Sequence, residues 1–73
     1  MIKTEWEKNA TNILKAELTR RGIGYEDLHL ALKKIGVDKP AVNLNKTINL
    51  GKFSFTFFMQ CAKAIGLSNV NLT

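Results

Sequence analysis

The sequence contains one cysteine, one histidine and one proline, and each scarcity excludes a class of protein. Cys61 alone cannot form an internal disulfide, which fits either a reducing compartment or a chain that does not depend on redox state. A metal site or a general base at His29 would need partners, and no Cys-His or carboxylate cluster in the sequence has ligand spacing. No glycine-rich stretch has the spacing of a phosphate-binding loop. We therefore expect no enzyme, no metal or cofactor, and no small-molecule substrate.

Long hydrophobic runs are also missing. No apolar stretch approaches the ~18 residues that a membrane-spanning helix needs. The segment from Met1 to Lys8 lacks the apolar core of a signal peptide and already contains acidic residues. These observations predict a cytoplasmic protein without membrane contact. The hydrophobic content of 45% is sufficient for a small core, so residues 1–73 are predicted to form one domain.

Apolar residues recur every three or four positions in the first half of the chain, which is the spacing of amphipathic helices. A first helix is predicted from Thr4 to Arg21, and Gly22 follows it at a typical capping position. Its predicted buried stripe consists of Trp6, Ala10, Ile13, Leu14 and Leu18, with Trp6 as an anchor. A second helix is predicted from Tyr25 to Gly36, and its stripe consists of Leu28, Ala31, Leu32 and Ile35.

Two further helices are predicted in the second half. In the third, Asp38 is the expected N-cap, Pro40 lies in the first turn and Gly51 ends the helix. Its inward residues are Ala41, Leu44 and Ile48. The fourth is expected to begin at an N-cap, Ser54, and to end at Gly66. Its apolar face consists of Phe57, Phe58, Cys61, Ala62 and Ile65, and Phe55 and Met59 are the expected exposed members.

The predicted fold is all-α: a small orthogonal bundle of four helices, or five if the tail adds one. The alternatives for the tail, residues 67–73, are a short extended segment and a frayed end. The second and third helices are expected to form a helix-turn-helix.

The net charge of +5 is confined to the second half of the chain. Bases and acids balance in residues 1–32, whereas residues 33–73 carry six lysines and only one acid, Asp38. A one-sided basic field attracts polyanions such as DNA, RNA or an acidic membrane. The alternative is a basic surface without a specific partner.

The third helix is the strongest candidate for a binding element, because its outward side is rich in Lys and Asn. Lysine binds phosphates or guanine, and asparagine can pair with adenine. The predicted DNA-binding residues are Lys39, Asn43, Lys46 and Asn49, with Lys52 contacting the phosphate backbone from the following linker. The alternative interpretation is a solvated polar face without a partner.

A family resemblance covers nearly the whole chain, from Trp6 to about Leu72. The segments LKAELTRRGIGYEDL (14–28), NLNKTINLGKFS (43–54), FFMQC (57–61) and AIG (64–66) resemble short bacterial proteins described only as a domain of unknown function. That family is similar to helix-turn-helix domains of the phage-repressor and Cro type, which implies DNA binding. Gly36, in the predicted turn, and Gly51, at the end of the third helix, are farther apart here than the corresponding positions of that motif. The third helix is therefore either a turn longer or begins after an extended turn, Val37–Pro40.

Two functions remain open at this point. The first is a small DNA-binding transcriptional regulator: a repressor, a phage or plasmid control protein, or an antitoxin. The second is a protein–protein adaptor that uses the same helices without nucleic acid. If the protein binds double-stranded DNA, we expect a homodimer, because one module of this size covers about half a site. The candidate dimer surfaces are the apolar tail and the region of Phe55 and Met59.

Overall fold

Four helices form the structure, a computed structural model that describes residues 3–70 and 72. They are α1 (Glu5–Arg20), α2 (Tyr25–Lys34), α3 (Ala41–Leu50) and α4 (Phe55–Ile65). Among the described residues there is no strand, and no helix follows Ile65. The predicted all-α class and the four helices are therefore confirmed, and the described part of the tail does not form a fifth helix.

All four helices contribute to one hydrophobic core. α2 packs against both α3 and α4, and α1 packs against α3, so α2 and α3 are central. The buried apolar residues are Leu14, Leu18, Leu28, Leu32, Leu44, Ile48, Phe57 and Cys61. The inward positions Leu44 and Ile48 are confirmed, which fixes the opposite side of α3 as its outward side.

Several helix ends lie where the sequence places them. The Ser54 hydroxyl accepts a hydrogen bond from the Phe57 N–H at 3.1 Å, as an N-cap does. Gly51 and Gly66 end α3 and α4 in the left-handed conformation. At the start of α1, Thr4 and Glu7 form a reciprocal capping box.

The prediction that Asp38 caps α3 is wrong. The N-cap is Pro40, and the helix begins at Ala41. A cap at Asp38 would require Lys39 to adopt the helical conformation. The ring of Pro40 disfavours that conformation because it clashes with the backbone of Lys39. Residues 37–40 form an extended turn instead. Of the two explanations for the wide spacing of Gly36 and Gly51, a longer helix or an extended turn before it, the extended turn is confirmed.

The prediction that Trp6 anchors α1 in the core is also wrong, because its side chain is 82% exposed. The end of α3 packs against α1 at Glu7 and Thr11. At ~100° per residue, Trp6 lies ~100° and ~140° around the helix from these two residues. The packing of α3 therefore leaves Trp6 on a different side of α1.

A seam of polar contacts joins α1 to the end of α3. The Thr11 hydroxyl donates a hydrogen bond to the Ile48 carbonyl at 2.7 Å, and the Lys3 ammonium donates to the Asn49 carbonyl. The last carbonyls of a helix have no partner within it, so these side chains complete the end of α3. Gly51 lies in the same seam, where a Cβ atom would overlap the Glu7 carbonyl.

One carboxylate, Glu17, is buried on the inward side of α1. Its Oε1 accepts hydrogen bonds from Arg20 at 2.7 Å and Arg21 at 2.6 Å. These two hydrogen bonds, that of Arg20 first, hold the pKa of Glu17 below its usual value. The carboxylate therefore stays ionised at neutral pH and holds the guanidinium groups of both arginines against the last turn of α1.

Cys61 is fully buried in the core, as its position on the apolar face of α4 predicts. Burial raises the pKa of its thiol from 9.0 to about 11, although Lys39 nearby opposes the shift. Because only the thiolate is nucleophilic, Cys61 is expected to resist alkylation in the folded protein and to react quickly in denaturant at the same pH. The alkylation rate by mass spectrometry checks this, and equal rates would contradict it.

The same shift predicts a loss of stability in alkali. The folded-state pKa is raised, so the folded protein retains the thiol proton where the unfolded chain has lost it. This contribution to the free energy of unfolding is complete below pH 9.0 and is lost as the pH rises towards about 11.

Candidate nucleic-acid interface

The outward side of α3 carries amides, one lysine and two aliphatic side chains, and no carboxylate. Its exposed residues are Val42, Asn43, Asn45, Lys46, Asn49 and Leu50. They are exposed because Leu44 and Ile48, on the other side, are fully buried. This side can offer hydrogen bonds and positive charge, and it also offers apolar contact.

The five predicted site residues do not share one surface. Asn43 and Lys46 are exposed on α3 as expected. Lys39, in contrast, folds towards α4, where its ammonium lies 4.7 Å from the centroid of the Phe57 ring. The outward projection predicted for Lys39 is therefore wrong, because a cation–π contact holds its charge on another part of the molecule.

Asn49 is exposed, but its amide is engaged within the fold. The NH₂ group donates to the Asn45 Oδ1 at 2.6 Å and to the Tyr25 hydroxyl at 3.1 Å. Its Oδ1 accepts a hydrogen bond from the Lys15 ammonium at 3.0 Å. A contact from Asn49 to a base would require these bonds to break, so Asn43 is the better placed of the two predicted base-contacting residues.

Lys52 lies in the α3–α4 connection, as predicted, and its ammonium is 3.8 Å from the Glu7 Oε2. The hydrogen bond from the Thr4 backbone lowers the pKa of the Glu7 carboxyl most, and the nearby charge of Lys52 lowers it further. Lys52 thus lies beside an acid of α1, away from the exposed middle of α3. A contact with phosphate would compete with this ion pair.

Sequence analysis missed three residues that the structure brings to α3. Lys15 and Tyr25 bond to the Asn49 side chain, and Lys3 reaches its carbonyl. All three come from the half of the chain whose charges balance. No local pattern marks them, because their proximity to α3 arises only from the packing of α1 and α2.

The first residue of α2, Tyr25, contacts Asn49 near the end of α3, so the start of α2 lies beside the end of α3. Residues 35–40 connect them, a longer segment than the 3–4-residue turn of a typical helix-turn-helix. His29 Nδ1 lies 2.8 Å from the Lys39 carbonyl, to which it must donate. This bond fastens the connection to α2.

The part of the chain that contains almost all of the four helices matches a known family model. Residues 6–70 match the model of a domain of unknown function, DUF6471. The chain belongs to this family. No curated protein and no solved structure matches the chain. The resemblance to a domain of unknown function is thereby confirmed, and the likeness to repressor-type domains stays a prediction.

The DUF6471 domain contains both the outward side of α3 and the residues of α1 and α2 that contact it. Within residues 3–70 and 72, no three His, Cys, Asp or Glu side chains are placed to hold a metal ion. In the same part of the chain, no helix has both the length and the apolar character that a bilayer span requires.

Proposed function

We propose that the protein binds double-stranded DNA and acts as a small transcriptional regulator. The binding surface, here called the basic face, consists of Lys3, Lys15, Asn43, Asn45, Lys46 and Asn49. The observation that carries the proposal is the exposure of Asn43 and Lys46 on a helix whose outward side has no carboxylate. No acidic residue follows Asp38 in the sequence, so no nearby acid of α3 or α4 offsets this charge.

The dimensions and chemistry of α3 suit the major groove. A helix of 10 residues is about 15 Å long, and its middle can lie in the major groove, which is about 12 Å wide. Asn43 can then donate to and accept from an adenine edge, while Lys46 reaches a phosphate or a guanine. Lys15 and Lys3, at the end of α3, would contact the flanking phosphates in exchange for their hydrogen bonds to Asn49.

Replacement of Lys46 with alanine is expected to weaken binding to every DNA sequence. The loss of one phosphate contact lowers the slope of log affinity against log salt by about 1. Fluorescence anisotropy with a labelled duplex at several salt concentrations measures both the affinity and this slope. The duplex should come from upstream of the protein's own gene, where a small regulator would bind.

Lys63→Ala is the matched control, because it removes the same charge from an exposed site on α4. This variant is expected to keep the slope of the unchanged protein. No binding by the unchanged protein at low salt would contradict the proposal. An equal loss in the Lys63→Ala variant would show that net charge alone, and not the basic face, attracts DNA.

A second candidate function is a protein–protein adaptor, and one observation favours it. Val42 and Leu50 are 64% and 60% exposed on the outward side of α3, one on each side of Lys46 along the helix. Exposed aliphatic residues on one side of a helix can serve as anchors in the hydrophobic groove of a partner. An adaptor would bind its partner with little dependence on salt and would lose affinity when Val42 and Leu50 are replaced with alanine.

A further inference from the structure

A second apolar surface lies away from the basic face, where α1, the start of α4 and the C-terminal segment meet. These parts of the chain form a groove with an almost entirely apolar lining. The lining residues are Ala10, Ile13, Phe53, Ser54, Phe55, Phe58, Val70 and Leu72. The rings of Phe55 and Phe58 stack with their centroids 6.2 Å apart, so this side of α4 presents an aromatic ridge.

Trp6 lies one turn before Ala10 on the same side of α1, outside the groove lining and beside Asn9 and Asn12. Trp6 is 82% exposed and Phe55 is 74% exposed. Because an aromatic side chain has a surface of about 150–250 Å², these two residues alone expose about 300 Å². Met59, one turn beyond Phe55, and Leu72 in the tail are also largely exposed. Monomeric proteins rarely expose contiguous apolar patches much larger than a few hundred Å².

We propose that this surface, the α1–α4 surface of Trp6, Ile13, Phe55, Phe58, Met59 and Leu72, binds a second copy of the chain. A standard interface buries about 800 Å² on each partner, and about 60% of that area is apolar. It therefore needs about 500 Å² of apolar surface on each copy. The two aromatic residues supply more than half of this area, and Met59, Leu72 and the groove supply the rest.

The charges around the α1–α4 surface also suit two identical partners. Lys8 lies 4.0 Å from Glu5, and Lys52 lies 3.8 Å from Glu7. These four residues together add no net charge beside the surface, and Lys63, one turn beyond Met59 on α4, adds one exposed positive charge. Two copies can meet here with less like-charge repulsion than the basic face, with its three lysines, would cause. Trp and other large aromatics at the centre of such a contact supply much of its binding energy.

The dimer does not depend on the proposed DNA binding, and its test requires no nucleic acid. Sedimentation of the unchanged protein at about 100 µM is expected to give the mass of a dimer. Trp6 is the only tryptophan, so its fluorescence is expected to shift to the blue as the protein concentration rises. Phe55→Ala and Trp6→Ala are each expected to weaken the dimer by at least about 10-fold in Kd.

The matched controls remove exposed apolar side chains elsewhere. Leu30→Ala on α2 and the double change Val42→Ala and Leu50→Ala on α3 are expected to leave the dimer intact. All replaced side chains are largely exposed, so circular dichroism should show an unchanged fold for every variant. A monomer at about 100 µM would overturn the proposal. So would a dimer that the α3 changes dissociate and the Phe55→Ala change does not.

Discussion

Replacement of Gly51 with alanine is expected to lower the free energy of unfolding by about 2–5 kcal/mol. The left-handed backbone of Gly51, with φ of 72°, costs a residue with a Cβ atom about 1–2 kcal/mol. The Cβ would also overlap the backbone of Glu7 and lie 2.9 Å from the Thr11 hydroxyl, and such overpacking typically costs about 1–3 kcal/mol more. Chemical denaturation followed by circular dichroism measures the loss.

Gly36→Ala separates the two causes. Gly36 also has a left-handed backbone, with φ of 87°, but no atom lies near the position of its missing Cβ. This variant should therefore lose only the backbone contribution of about 1–2 kcal/mol. Equal losses in the two variants would show that α1 does not approach Gly51 as closely as the structure places it.

Leu44→Ala is expected to lower the free energy of unfolding by about 2–5 kcal/mol, the usual cost of a cavity at a fully buried leucine. Leu44 is completely buried, in the middle of α3, where that helix meets the core. A domain of this size has a total stability of about 4–11 kcal/mol, so much of the margin would be lost. The measurement is the same denaturation experiment.

Val42→Ala is the control on the same helix, because Val42 is exposed and its removal leaves no cavity. Its expected change is within about 0.5 kcal/mol, and the higher helix propensity of alanine favours a small gain. A large loss at Val42 together with a small one at Leu44 would mean that α3 packs with the opposite side inward.

The helices could be predicted because their signals are local. The caps and glycines that end α3 and α4, and the inward positions Leu44 and Ile48, follow from residues within a few positions of one another. Asp38 failed as a cap for a local reason that the sequence also contains, since Pro40 keeps the preceding residue out of the helix. The alternative of an extended turn before α3 already allowed for this outcome.

Long-range packing explains what the sequence could not predict. Trp6 continues the three- and four-residue apolar spacing through Ala10 and Ile13, and only the packing of α3 against α1 decides which side of the helix is buried. Lys39 has a cation–π partner, Phe57, that comes from a different helix. Asn49 bonds to Lys15 and Tyr25 for the same reason. The exposure of Asn43 and Lys46 on α3 could thus be predicted from the sequence, whereas the surroundings of Lys39 and Asn49 depend on contacts between helices.

The seam between α1 and α3 has a consequence for the kinetics of folding. Thr11 and the Ile48 carbonyl are 37 positions apart in the chain, and Lys3 and the Asn49 carbonyl are 46 positions apart. Closing so long a loop costs conformational entropy before any contact compensates for it, whereas α2 and α3 pack against each other across residues 35–40 alone. We therefore expect α2 and α3 to associate before α1 docks on α3. The amide protons of α1 should then exchange with solvent through openings smaller than global unfolding, so that the first helix is the part of the domain that opens most readily.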